Sequence, residues 1–152
     1  MSASVSRTTV EAFLQAYASG SPGRIARFIA ADVEWIIIGP VDLIPFCGQR
    51  KGKAAVMALF EREIPGLLQV VAVETDMVLV DGNCAAAHGR TTALQESTGR
   101  TISYRCAQFM RFHDGKVIEY RSIIDSFDAA EQVLGQPLAL AAGSSSLIAV
   151  GA

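Results

Sequence analysis

Residues 101–124 read TISYRCAQFMRFHDGKVIEYRSII, and their alternation decides the fold. Ile102, Tyr104, Cys106, Gln108, Met110 and Phe112 share one parity, while Ser103, Arg105, Ala107, Phe109 and Arg111 share the other. A period of two marks a strand whose two faces meet different surroundings. Asp114-Gly115 is a two-residue hairpin signal, because both central positions of such a turn favour positive φ. The return arm repeats the pattern, with Ile118, Tyr120, Ser122 and Ile124 opposing Val117, Glu119, Arg121 and Ile123. The first face of each arm is apolar with a few uncharged polar groups, so it belongs to a core. The second carries alternating charge, with Glu119 placed to pair with Arg105 or Arg111 across strands. Its Phe109, Val117 and Ile123 make it an exposed face or a dimer contact.

Working outward, the same period runs back to Gln69. Residues 70–80 form a long strand, Asp81-Gly82 a second hairpin turn, and residues 83–94 the returning strand, with a turn over 96–99. Before Gln69 the period is that of a helix. Thr8-Thr9-Val10-Glu11 fits a capping box, and Val10, Phe13, Leu14 and Tyr17 then recur on one stripe. Gly20 ends that helix, and Ser21-Pro22 starts a second, which buries Ile25, Phe28 and Ile29. Residues 33–38 are a β-branched strand stopped by Gly39-Pro40, and 41–52 read as an irregular loop. A third helix starts near Gly52 with Val56, Leu59, Phe60 and Ile64 on one side. Asp125 caps a last short helix that ends near Gly135, and Pro137 prevents its continuation.

This order predicts an α+β fold: three N-terminal helices packed on a curved antiparallel sheet. Short helices cover a long curved sheet incompletely, and the gap left between the layers is where a small-molecule pocket forms. The division is an arm over 1–7, one domain over 8–135 and an Ala-, Gly- and Ser-rich tail over 136–152.

Composition limits the function. The chain has 152 residues, of which 51% are hydrophobic and 18% charged, enough for one domain with a real core and too apolar for a disordered chain. The formal net charge is -2, and the 13 basic residues are scattered, so no stripe is present to neutralise phosphates, and nucleic acid is not expected as a partner. No apolar run approaches the roughly 20 residues needed to span a bilayer. Three widely spaced cysteines, Cys47, Cys84 and Cys106, without a CxxC, point to reduced thiols and a cytoplasmic location. No metal or nucleotide motif is visible, so neither metal nor cofactor is expected.

The pattern resembles the nuclear-transport-factor-2-like (NTF2-like) superfamily, in its SnoaL-like or ketosteroid-isomerase-like branch. The resemblance rests on the helix pair around Gly20, on Ala31-Asp32-Val33-Glu34-Trp35, and on Gly48-Gln49-Arg50-Lys51-Gly52. Gln108-Phe109-Met110-Arg111-Phe112-His113-Asp114-Gly115-Lys116-Val117 completes it. It covers roughly residues 8 to 135 and implies a cone-shaped α+β barrel. Two catalytic sets of related enzymes do not carry over. The base of ketosteroid isomerase falls on Ile37, its oxyanion aspartate on Gln108 and its helix-1 tyrosine on Phe13, with Tyr17 one turn further. The Asp–Arg–Asp set of limonene-type epoxide hydrolases falls on Thr92, Arg90 and Ser122, so only the arginine survives.

Alternation leaves open which side of the strand over 83–94 points inward; the resemblance implies that His88, Arg90 and Thr92 do, with Trp35 and Ile37 opposite. If the chain is an enzyme, the catalytic set is then His88 as proton carrier, with Arg90 and Gln108 or Tyr120 stabilising an oxyanion. Trp35, Ile37, Thr92, Tyr104, Cys106, Tyr120, Ser122 and Ile124 would bind the ligand. The function expected is a domain binding a small apolar, carbonyl-bearing molecule. As an enzyme it would be a cofactor-independent isomerase, cyclase or lyase; the alternative is a non-catalytic ligand-binding or dimerisation module. A homodimer through the outer sheet face is the expected assembly.

Overall fold

The computed structural model describes residues 3–139. Ser6, not Thr8, opens the first helix: its hydroxyl accepts from the Thr9 amide, and helix α1 runs Arg7–Ala18. Its apolar stripe is the one the sequence predicts, with Val10, Phe13 and Leu14 buried. Helix α2 follows at Pro22–Ala26, a single turn with Pro at its start. Strand β1 spans Ile29–Ile38, four residues earlier than its β-branched run. The segment read as an irregular loop instead contains a short strand, β2, Gly48–Lys51, antiparallel to β1. Helix α3, Lys53–Ala58, passes directly into a π-helical turn over Leu59–Glu63.

The four long strands of the meander follow: β3 Leu68–Asp81, β4 Cys84–Gln95, β5 Thr101–His113 and β6 Lys116–Ile124. The β5–β6 turn has the expected geometry, with Asp114 and Gly115 both at positive φ, 47° and 72°. The β3–β4 turn is shifted by one residue. Asp81 still pairs with Cys84, so Gly82 and Asn83 form the turn. Helix α4, Ser126–Leu134, begins as predicted, with the Asp125 carboxylate accepting from the Asp128 amide, and ends at Gly135 in the left-handed region.

The strands form one sheet in the order β2-β1-β6-β5-β4-β3. The expectation of three N-terminal helices on an antiparallel sheet is therefore met only in part. The fold is α+β, but the sheet is mixed, since β1 runs parallel to β6 with Trp35 beside Tyr120 and Ile37 beside Ser122. The helices are also separated in sequence, two before β1 and the third after β2. The core lies between helices and sheet, where Phe13, Ile25, Trp35, Leu59, Phe112 and Tyr120 are fully buried. Val117 joins them, contrary to its assignment to the outer face, because a register shift between Arg111 and Phe112 moves the start of β6 inward.

On the opposite face the pairing aligns residues in rows. Met77, His88, Ala107, Ile123 and Ile38 form one row across five strands, and Leu79, Ala86, Phe109, Arg121 and Ile36 form the next. Phe109 and Ile123 are exposed as expected, at 47% and 43%. Among the described residues no helix is long and apolar enough to cross a membrane. The tail beyond residue 139, part of the segment 136–152, lies outside the described residues.

Candidate functional site

The gap predicted between helices and sheet is a cavity of about 290 Å³. Its sheet wall consists of Ile37, Thr91, Tyr104, Cys106, Ser122 and Ile124 from β1, β4, β5 and β6, with Leu68 and Val73 from β3. Tyr17 of α1 and Phe60 of the π-turn close the helical side, and Phe46 comes from the loop before β2. Ser19, Gly20, Gln69, Val70 and Glu96, all exposed, ring the mouth. The lining is mainly apolar with a few hydroxyls, the usual make-up of a small-molecule site.

Five predicted ligand-binding residues, Ile37, Tyr104, Cys106, Ser122 and Ile124, line this cavity. Trp35 and Tyr120 do not line it; they lie behind the wall, their rings stacked with centroids 3.7 Å apart. Phe60 stands edge-on to Trp35 and occupies the wall in its place. Gln108 is buried on the inner face, close to the Tyr17 hydroxyl.

The inward placement of His88, Arg90 and Thr92 is overturned. In β4 the buried positions are Ala85, Ala87, Gly89, Thr91 and Ala93, so the other parity faces outward. His88 Nδ1 lies 3.6 Å from Asp76 Oδ2 on the outer face, with its side chain 40% exposed. Arg90 donates to Ser103 Oγ at 3.2 Å, and the Thr92 and Ser103 hydroxyls are 3.1 Å apart. The physical reason is desolvation: a guanidinium on the inner wall would lose water with no acid there to pair it. The sequence reading missed Thr91, Tyr17 and Phe46 as lining residues. For Thr91 and Tyr17 the signal was present, since each follows directly once the strand or helix parity is set.

Burial dominates the electrostatics. It pushes the Tyr17 hydroxyl up to about 12, although the neighbouring groups of Tyr120 and Gln108 draw it partly back. Burial likewise raises Tyr104 and, well above the usual tyrosine value, Tyr120. The Cys106 thiol is raised by burial and lowered slightly by Thr91. Each of these groups therefore stays neutral at physiological pH. Two buried polar atoms, Trp35 Nε1 and Tyr120 Oη, find no hydrogen-bond partner among the described residues. Also among them, no group of three His, Cys, Asp or Glu side chains is arranged to hold a metal.

The geometry has counterparts among known proteins. A family model described as a SnoaL-like domain matches residues 10–120. A structure from Rhodopseudomonas palustris, provisionally described as an isomerase, is 32% identical, with a TM-score of 0.73 over 84% of this chain and 93% of that one. An NTF2-like protein from Burkholderia thailandensis is 19% identical, with a TM-score of 0.72 over 86% of this chain and 96% of that one. A Catenulispora acidiphila protein with a ketosteroid isomerase-like fold, in complex with trimethylamine, is 14% identical, with a TM-score of 0.71 over 88% and 96%. No curated protein matches the chain.

Proposed function

The chain belongs to the SnoaL-like family of the NTF2-like superfamily, and from that premise we propose that it binds a small, uncharged, mostly apolar molecule carrying one carbonyl. The observation that carries this reading is the charge state of the inner wall. Tyr17, Tyr104 and Cys106 are its ionisable groups, and burial keeps all three protonated. Such a wall offers hydrogen bonds to a neutral acceptor and nothing to compensate a ligand charge. The cavity volume sits at the lower end of small-molecule pockets, about 300–1,000 Å³, which suits a compact ligand.

Tyr17 is the donor assigned to the ligand carbonyl, because it lines the cavity and its hydroxyl keeps its proton. The same wall speaks against the proton-transfer version with His88 as carrier, since His88 lies on the outer face. An isomerase or lyase reading keeps one support, the similarity to the Rhodopseudomonas palustris protein. Glu96, at the mouth, is the one carboxylate on the described lining that such chemistry would use as a base.

The direct test is binding at neutral pH of cyclohexyl methyl ketone and of cyclohexanecarboxylate, by calorimetry and by the fluorescence of Trp35, the single tryptophan. The ketone is expected to bind at least tenfold more tightly, given the cost of burying an unpaired carboxylate. Equal or tighter binding of the carboxylate would overturn the reading. Tyr17→Phe should weaken the ketone roughly fivefold, the worth of a hydrogen bond of about 1 kcal/mol, and His88→Ala should leave it unchanged.

The outer sheet face supports a second element of the function, a homodimer. Its two central rows contain the exposed apolar residues Met77, Leu79, Phe109, Ile123 and Ile38, together with His88 and Arg121. Charged residues flank them, Arg111 with Glu119 on one side and Arg90 with Arg105 on the other. A mostly apolar centre with an arginine among its members, set in a charged rim, fits the anatomy of a protein interface.

A further inference from the structure

Next to the main cavity lies a second, smaller chamber of about 60 Å³, and the two share a wall. Phe46 and Leu68 line both spaces. The far side of the small chamber is formed by Leu43 and Ile44 of the loop before β2, by Leu67, and by Val133 of α4. Gly66, Gln95 and Ser97 complete the lining, and with six of its nine residues apolar the chamber favours a hydrocarbon over water.

Resting on the reading of the main cavity as the ligand site, we propose that Phe46 sets the length of ligand the protein accepts, and that the chamber behind it is a latent tail subsite. The argument starts from what is fixed around Phe46. Its carbonyl accepts from Arg50 Nη1 at 2.8 Å, and the same guanidinium is ion-paired to Glu63 at the end of the π-turn. The loop is tied again by Ile44 N to Pro40 O at 2.8 Å and Cys47 N to Ile44 O at 2.9 Å. Backbone motion is thereby restrained, so the partition is the ring itself, which is buried. The other shared residue, Leu68, is tied by its amide to Ile64 O at 2.8 Å at the start of β3. On the outer side Val133 is held in place, since Gln95 Nε2 and Arg100 Nη2 both donate to its carbonyl. A ligand too long for the main cavity therefore meets Phe46, and removal of the ring joins the two spaces.

The inference is tested with straight-chain methyl ketones of increasing length. Each methylene buried should tighten binding about fourfold, from ~0.8 kcal/mol per group, until the main cavity is full and the affinity levels off. In Phe46→Ala the rise should continue through the space the ring vacates and then into the chamber, which adds room for about two carbons at ~30 Å³ per water-sized group. In the double variant Phe46→Ala with Val133→Phe, which refills the chamber from α4, the plateau should return toward the native length. A plateau at the same length in the native protein and in Phe46→Ala overturns the inference while the main site stands. A native protein that binds none of the ketones overturns both. If circular dichroism shows Phe46→Ala unfolded, Phe46→Leu takes its place: an extension of about one carbon supports the inference, and an unchanged plateau sinks it.

Discussion

At the scale of single residues, burial has set the protonation of the whole tyrosine complement. The chain has three tyrosines, and Tyr17, Tyr104 and Tyr120 are all raised above the ordinary value. The folded state then holds these protons more tightly than the unfolded chain does. Stability is intact below about pH 10, the free tyrosine value, and falls as pH rises from there toward 12. Tyrosinate absorbance should accordingly stay silent to about pH 11 and then appear together with unfolding; a tyrosine ionising near pH 10 in the folded protein would contradict the described burial. Gly89 is a second residue with a sharp consequence. A Cβ there would stand 2.0 Å from the Glu74 carbonyl oxygen, on the neighbouring strand beside the register shift at Thr75 and Met77. Gly89→Ala should lower stability by about 2–3 kcal/mol, read as a shift of the urea midpoint. Gly89 also shows why one part of the site was illegible. The inner face of β4 is Ala85, Ala87, Gly89, Thr91 and Ala93, so small residues lie inside and the large polar ones outside. The inner face then carries no large apolar side chain to mark it, and it was the resemblance to epoxide hydrolases that turned His88, Arg90 and Thr92 inward when they are an exterior.

At the scale of elements, the meander was legible because its alternation is long and its turns carry Gly. Tyr104, Cys106, Ser122 and Ile124 were placed by parity alone, and the structure puts each on the cavity. The short strand β2 was not legible. Gly48–Lys51 has four residues, too few to show a period, and it exists through its pairing with β1. Helix α4 does work that no periodicity announces. Its Gln132 accepts from the Ser103 amide and donates to the Ser103 carbonyl, both at 2.7 Å, satisfying the part of β5 that extends past the end of β6. Replacing Gln132 by Glu keeps the acceptor and removes the donor. That change should cost about 1–3 kcal/mol and raise hydrogen exchange at the end of β5. Protection equal to that of the native protein would mean that Ser103 does not depend on α4. Asp125→Ala at the start of the same helix should cost about 1 kcal/mol in a thermal melt, the usual worth of an N-cap.

At the scale of the molecule, the proposed dimer concerns the rows of Phe109 and Ile123. A standard interface removes about 800 Å² from each partner, and the two rows crossing five strands offer the breadth for it. Sedimentation should show a dimer at micromolar concentration, and Phe109→Arg with Ile123→Glu should leave a folded monomer. A native protein that sediments as a monomer would remove the proposal. The overall α+β layering was readable from the change of period at Gln69, whereas the parallel neighbour of β6 was not, since nothing in residues 29–38 names a partner so distant in sequence. That pairing has a consequence during synthesis. Strand β1 leaves the ribosome early, but its neighbour β6 follows only after β2, α3 and three further strands. The hairpins β3–β4, β4–β5 and β5–β6 close locally, while β1 has to wait with Val33, Trp35 and Ile37 uncovered. The nascent chain is thus most open to aggregation or chaperone capture in the interval between the two emergences. Truncated, ribosome-tethered chains ending before residue 116 should retain that exposure, and chains extended past 124 should lose it.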